Sequence, residues 1–344
     1  MSNDVWILGG TGRSAQKIAA ELRQRHIEPV LVGRNAERLA AAAGESGRTV
    51  VSASIDEIVD EVRRQRPQIV INTIAPFADT AAALIATGVH YIDIANDRAA
   101  FSSLFERDAE LASAGQTAVT GAGFGVTASE SILVKLLEGR PAPTRVRVDM
   151  VPSMETEAGK VGESLAASLI GGLAYRDRAA GRLGSRRMRL TLPDGTDVLT
   201  ASMPLGDGSA AARTSGAPVV IGASSMAPTG AFRFVMPVAT ALLSIRPLAA
   251  FAQRLLARMS VPAAPRPREY SWGHAHVEWS DGTVRDGWLR VDDASTFTGI
   301  VPAEIARRLL DGAGRGGAFT PAALFGSSLA EACGAQYVPG FVAA

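Results

Sequence analysis

The sequence is poor in the residues that cross-link, ligate metal or bind polyanions. One cysteine, Cys333, stands in 344 residues. It excludes an internal disulfide framework and a cysteine-based zinc site, and fits a reducing compartment. Four histidines occur, and none has a nearby Cys or Asp/Glu cluster of metal-ligand spacing, so no metal is expected. Lysine is nearly absent: Lys17, Lys135 and Lys160 are the three, and arginine makes up the rest of the 35 basic residues. Charged residues are 20% of the chain and the formal net charge is +1. No basic field exists to neutralise a nucleic-acid backbone, and no nucleic-acid partner is expected. Long apolar runs are also missing. The most apolar stretch, Phe234–Phe251, is broken by Pro237, Arg246 and Pro247 and falls short of the roughly 20 apolar residues of a membrane span. Met1–Leu8 has no basic segment followed by a signal-peptide core, so a cytoplasmic location is the expectation. A peripheral membrane role remains an alternative resting on Ala231–Phe251, the kind of surface stretch that could lie on a lipid headgroup layer.

What the sequence has is hydrophobic content, 47%, over a length that suits two domains. The first 125 residues alternate short apolar runs with helical periodicity. Val5–Leu8, Pro29–Val32, Thr49–Ala53, Ile69–Thr73, His90–Ile94 and Thr117–Thr120 read as strands, and the segments between them carry apolar residues at helical spacing, as at Ala15, Ile18, Ala19 and Leu22. The strands are continuous apolar runs, as a parallel sheet covered on both faces requires. After Thr127 the rhythm changes. Ser129–Leu137 and Gly162–Tyr175 read as helices. Pro193-Asp194-Gly195 and Ser280-Asp281-Gly282 supply the turns of two hairpins. The expected class is α/β: a Rossmann-type parallel-sheet domain over 1–127 and an α+β substrate domain with antiparallel strands over 128–300. Helices within 301–344, read at Pro302–Leu310 and Pro321–Cys333, are expected to pack back on the first domain.

Three strand ends carry chemistry. The first strand runs into Gly9-Gly10-Thr11-Gly12-Arg13-Ser14-Ala15. Small residues there let the chain turn sharply, let a pyrophosphate approach the backbone and let the helix sit close to the sheet. The phosphates would rest on the helix N-terminal amides. The second strand ends in Gly33-Arg34. A carboxylate near this place bonds the ribose 2′-hydroxyl of NAD. A guanidinium instead forks onto a 2′-phosphate, so Arg34, with Arg38 a turn later and Arg13 in the loop, points to NADP. The fourth strand ends in Asn72-Thr73-Ile74-Ala75-Pro76-Phe77. Asn72, Ala75, Pro76 and Phe77 are expected along the crevice at the nicotinamide ribose.

The loop Gly9–Ala15, Gly33-Arg34-Asn35, Asn72…Ala75-Pro76-Phe77, Gly88-Val89-His90-Tyr91-Ile92-Asp93 and Gly121-Ala122-Gly123-Phe124-Gly125 together resemble the saccharopine dehydrogenase/reductase-like oxidoreductases over roughly residues 1–130. The resemblance is faint at Ala318-Phe319-Thr320-Pro321 and absent in the middle. It implies a two-domain NADP-dependent reductase that exchanges hydride with a C=N bond or activated double bond of a small-molecule substrate. The substrate itself does not carry over.

The Tyr-x-x-x-Lys pair of short-chain reductases is missing: four residues after Tyr91, Tyr175, Tyr270 and Tyr337 stand Ala95, Ala179, His274 and Phe341. The candidate catalytic proton donors are Lys160, in Gly159-Lys160-Val161-Gly162, and Tyr175, at the end of the helix that follows. His274 and His276 alternate on a strand and face the same way. Asp93 and Asp97 stand at the crevice edge, the second also a candidate helix cap. The alternative of a different class is a redox-sensing regulator that binds NADP without turnover. The hydrophobic hairpins are a candidate homodimer surface.

Overall fold

The computed structural model describes residues 2–45, 47–156, 158–160, 166, 185–227, 242–243 and 245–338. In chain order the first elements are β1 (Ser2–Leu8), α1 (Arg13–Gln24), β2 (Val30–Gly33), α2 (Ala36–Ala43), β3 (Arg48–Val51), α3 (Ile55–Gln65), β4 (Pro67–Asn72), α4 (Phe77–Ile85), β5 (His90–Asp93), α5 (Arg98–Phe105), α6 (Asp108–Ser113) and β6 (Thr117–Val119). There follow α7 (Phe124–Leu137), β7 (Arg145–Val151), β8 (Gly159–Lys160), β9 (Met188–Thr191), β10 (Asp197–Ser202), α8 (Gly206–Ser215), β11 (Val219–Ser224), α9 (Arg246–Arg258), β12 (Ser260–Val261), β13 (Ser271–Glu278) and β14 (Val284–Val291). The chain closes with α10 (Ala294–Leu310), β15 (Gly317–Phe319), α11 (Pro321–Phe325), α12 (Ser328–Ala332) and β16 (Gln336–Val338).

These elements divide into two units: 1–95, 99–123 and 295–324 form the first, and 96–98, 124–294 and 325–344 the second. In the first, the sheet order is β15-β6-β5-β4-β1-β2-β3, with every pairing parallel. The chain order reverses between β1 and β4, the switch point at which such sheets open a crevice beyond their strand ends. Val5, Trp6, Ile7 and Leu8 are all fully buried, as a strand covered on both faces demands. Helix α3 is closed by its own sequence: Ser54 accepts from the Glu57 amide, and Glu57 reaches back to the Ala53 amide, a reciprocal capping arrangement.

The seventh strand, β15, comes from far along the chain and carries no strand signal in the sequence. Helix α10 brings it there. Lys17 Nζ donates to Ser295 Oγ at 2.9 Å, and a Cβ on Gly299 would stand 2.8 Å from Lys17 Cβ, so α10 lies close on α1. The sequence places the start of this helix at Pro302, because proline lacks the amide an interior turn uses. The helix in fact starts at Ala294 with Pro302 inside it. The expected return of all of 301–344 to the first domain is corrected: β16 pairs with β14, so the last described residues belong to the second unit. An edge strand offers unpaired amides and carbonyls that the terminal segment satisfies.

The second unit holds a seven-stranded sheet in the order β16-β14-β13-β7-β11-β10-β9. Both hairpins read from the sequence are present, as β9–β10 and β13–β14. The sheet is mixed, however, because β7 and β11 pair in parallel. The sequence reading misses α8 and β11: Gly206-Asp207-Gly208-Ser209 has the composition of a turn, and the packing of Gly208 on Gly222, with 3.0 Å from a built Cβ to the facing amide, holds the helix on the strand. Helices α7 and α8 cover one sheet face. Gly273 lies so close to α7 that a Cβ would be 2.6 Å from the Ala128 carbonyl. A separate two-stranded sheet joins β12 and β8.

Candidate functional site

The glycine loop joins β1 to α1 at the switch point. Gly9 is left-handed, at φ +75°, and a Cβ there would stand 2.7 Å from Thr73 Oγ1. Gly10 donates to the Val32 carbonyl at 2.9 Å, and its Cβ would lie 2.8 Å from Leu31 Cβ. Gly12 donates to the Gly9 carbonyl at 2.8 Å and is the N-cap of α1, which no side chain caps. Thr73 donates to the Leu8 carbonyl at 2.7 Å. The loop is thus pressed between three strand ends, with no room for a side chain at Gly9 or Gly10. It presents an uncapped N-terminus of a twelve-residue helix, whose dipole favours an anion. Thr11, Gly12 and Arg13 are exposed and Ser14 half-buried on this turn. The donors present, backbone amides and a helix dipole, fit the pyrophosphate of a dinucleotide.

Arg34 follows β2 directly and is exposed, as is Arg38 in the first turn of α2. Asn35 caps that helix by accepting from the Arg38 amide at 2.8 Å, which sets both guanidinium stems beside the strand end. After β4, Ala75 is half-buried and Pro76 exposed, and the peptide between them is cis. Asn72 and Phe77 are engaged in the fold: Phe77 is buried at the start of α4, and Asn72 spends its polar atoms on bonds within the fold at the end of β4. Its Nδ2 donates to Thr80 Oγ1 at 2.7 Å and to the Tyr91 hydroxyl at 3.1 Å, while its Oδ1 accepts from the Ile74 amide at 2.9 Å.

That chain of bonds continues into Asp93, which is buried at the end of β5 and contacts Tyr91. Its Oδ1 accepts from Thr120 Oγ1 at 2.8 Å, the Ala95 amide at 3.0 Å and the Gly121 amide at 3.1 Å. Burial pushes the carboxyl up to about 6, against these donors. The sequence signal was the Tyr91-Ile92-Asp93 strand end; what it did not reveal is that Asp93, Thr120 and Gly121 tie β5 to the loop after β6.

The second unit carries a second polar constellation, on the sheet face away from α7. Asp149, Arg147, His274 and Thr200 are all buried. Arg147 Nε meets both oxygens of Asp149, at 3.1 and 3.0 Å, and Thr200 Oγ1 donates to Asp149 at 2.6 Å. His274 bridges Asp149, 3.0 Å from Nδ1, and Asp286, 3.2 Å from Nε2. Its ring lies 4.3 Å from that of Trp288, between centroids. His276 bridges Asp286 at 2.9 Å and Glu278 at 3.3 Å. Burial opposes the charge on His274, but its two carboxylate partners outweigh burial and raise its pKa. The bond to Asp286 raises that of His276. Both shifts are in the direction of the imidazolium form. Asp207, buried in the first turn of α8, is pushed up to about 7 by burial, with Asp149 adding to the shift and the first-turn amides opposing it. Among the described residues, no three His, Cys, Asp or Glu side chains are placed to hold a metal ion.

Of the two proton-donor candidates, Lys160 stands on β8, whose backbone pairs with β12 at Ser260. Tyr175 lies outside the described residues, as does most of Ala231–Phe251. No described helix is long and apolar enough to cross a membrane.

Comparison with known proteins converges on the first unit. Residues 5–121 match the family described as saccharopine dehydrogenase NADP binding domain. No curated protein matches the sequence. Among solved structures, apo saccharopine dehydrogenase (L-Glu forming) from Saccharomyces cerevisiae is similar over 98% of this chain and 100% of its own, at 13% identity and a TM-score of 0.58. That likeness extends the shared fold to both units. An oxidoreductase domain protein from Kribbella flavida (13% identity, TM-score 0.45, 99% and 100% coverage) and GenD2 from gentamicin A biosynthesis in complex with NAD (13%, 0.43, 98% and 96%) align more loosely. The glycine loop and the switch-point crevice agree with the family match: residues 5–121 are similar to the saccharopine dehydrogenase NADP binding domain, a nicotinamide-dinucleotide-binding fold.

Proposed function

We propose that the protein is an NADP-dependent oxidoreductase that moves hydride between NADPH and a C=N bond or activated double bond of a small metabolite. The observation that carries this reading is the pairing of an uncapped α1 N-terminus on the glycine loop with Arg34 at the end of β2. Amides at the loop suit the pyrophosphate. Arg34, backed by Arg38 and Arg13, suits a 2′-phosphate and offers the ribose of NAD no carboxylate. The NADP in the matched family's description supports the same choice. Bound at this crevice, the nicotinamide supplies or accepts the hydride. The protein's part is to hold it, shield it from water and place a proton donor. Lys160 and Tyr175 are the donors proposed for the substrate side.

Nucleotide fluorescence titration of wild type and Arg34→Ala with NADPH and NADH tests the reading. The expected result is selective loss of NADPH affinity in the variant, about tenfold to a hundredfold, the range of a lost hydrogen bond to a charged group, with NADH unchanged. Absence of binding by wild type to either nucleotide would overturn it. Binding without any NADPH oxidation across imine and enone substrates would favour a redox sensor instead.

A further inference from the structure

A cavity of about 300 Å³ in the second unit is lined by Arg145, Arg147, Arg186, Arg187, Met188, Ile221, His276 and Glu278. Four arginines and a histidine therefore line one small space beside a single carboxylate residue, Glu278. Like charges so placed repel unless something offsets them. Arg147 is neutralised: it is buried, and its fork is taken by Asp149 and Thr200. Glu278 faces His276, and the other nitrogen of His276 faces Asp286. The side chains of Arg145 and Arg186 form no ion pair among the described residues.

The position of Arg186 is built rather than incidental. Its φ is +49°, in the left-handed region that arginine seldom occupies. Two bonds to the neighbouring backbone hold it there. The buried Arg147 donates from Nη1 to the Arg186 carbonyl at 2.8 Å, and the Ser202 amide donates to the Ser185 carbonyl at 2.8 Å. Arg145 comes from the other side, on β7 opposite Glu278 of β13. Met188 and Ile221 supply apolar lining. The arrangement has the parts of a site for a small anion with a short hydrocarbon portion: two guanidinium groups to bind oxygens, a fixed charged floor and an apolar side.

We propose that this cavity binds an oxyanion-bearing small molecule, a carboxylate or phosphate, through Arg145 and Arg186. The site is made wholly of second-unit residues and does not depend on the cofactor reading above.

Isothermal titration calorimetry of the full chain in low-chloride buffer tests it, with inorganic phosphate and with adipate as the two probes. Wild type, Arg145→Gln, Arg186→Gln and, as a control for phosphate at the glycine loop, Arg34→Ala are compared. The expected result is saturable one-to-one binding of at least one probe, weakened at least tenfold by either Arg145→Gln or Arg186→Gln and unchanged in Arg34→Ala. Preference for phosphate would identify a phosphorylated ligand and preference for adipate a carboxylate ligand. Far-ultraviolet circular dichroism confirms that the variants, altered at exposed side chains, are folded. No saturable binding of either probe would overturn the proposal, as would binding that survives both second-unit substitutions or is lost only in Arg34→Ala.

Discussion

Strand β1 buries every side chain from Val5 to Leu8 in an apolar environment, whereas β13 divides its residues between two different surroundings. Gly273, Ala275 and Val277 face α7, and Trp272, His274, His276 and Glu278 face away from it, in register with Val151, Asp149, Arg147 and Arg145 of β7. Both sheets have seven strands, yet they place chemistry differently. The parallel sheet keeps its polar groups at the strand ends, where backbone amides and glycines shape the proposed site. The mixed sheet carries charge across one face, where side chains from β7, β10, β13 and β14 must meet. A backbone-made site can be read from a few consecutive residues; a face-made site exists only once the strands are paired.

The largest effect that would sharpen this contrast is expected from Asp149→Ala. It leaves Arg147 and His274 buried without their shared carboxylate, and breaking a buried ion pair costs about 3–5 kcal/mol. Urea unfolding followed by tryptophan fluorescence should show that loss, with nucleotide binding by the first unit retained. A loss below about 1 kcal/mol would mean that the ionic face is not a cohesive network.

Asp207→Asn probes the same unit through pH. A carboxyl raised to about 7 keeps its proton in the folded state after the unfolded chain, titrating near the ordinary 3.8, has lost it. Stability therefore falls as pH rises from about 4 to about 7. The three-unit difference corresponds to at most about 4 kcal/mol. Urea midpoints measured at pH 5 and pH 8 should differ less in the variant than in wild type, and an equal pH dependence in both would remove Asp207 from the account.

In the first unit, Gly10→Ala should act on packing. The added methyl meets Leu31 Cβ at 2.8 Å, and overpacking costs about 1–3 kcal/mol. Because the loop must shift to relieve it, nucleotide affinity should fall more than tenfold while the ionic face of the second unit is unaffected. Unchanged affinity would show that the loop tolerates displacement and that its close packing is not what shapes the site.

The legibility of the two units follows the same division. The six strands and the glycine loop of the first were readable because apolar runs, helical spacing and turn residues are local. Its seventh strand, Gly317–Phe319, was not, since three residues gain strand character only by pairing with Thr117–Val119. In the second unit the two hairpins announced themselves by Pro-Asp-Gly and Asp-Gly turns. The spacing of His274 and His276 showed that they share a face. Nothing in that spacing revealed Asp286 between them, Asp149 behind them, or Arg186 held in a left-handed turn by Arg147.

By itself the sequence determined the parallel-sheet architecture of the first unit, the place of its glycine turn and the arginine beyond β2, because each rests on backbone geometry set by neighbouring residues. Only the tertiary structure decided which helix returns to the first sheet, where the terminal strand pairs, and which distant cations face the cavity of the second unit. Those outcomes depend on contacts between residues as far apart as Asp149 and His274, where long-range packing and the energetic requirement that buried charges be paired overrule local preference.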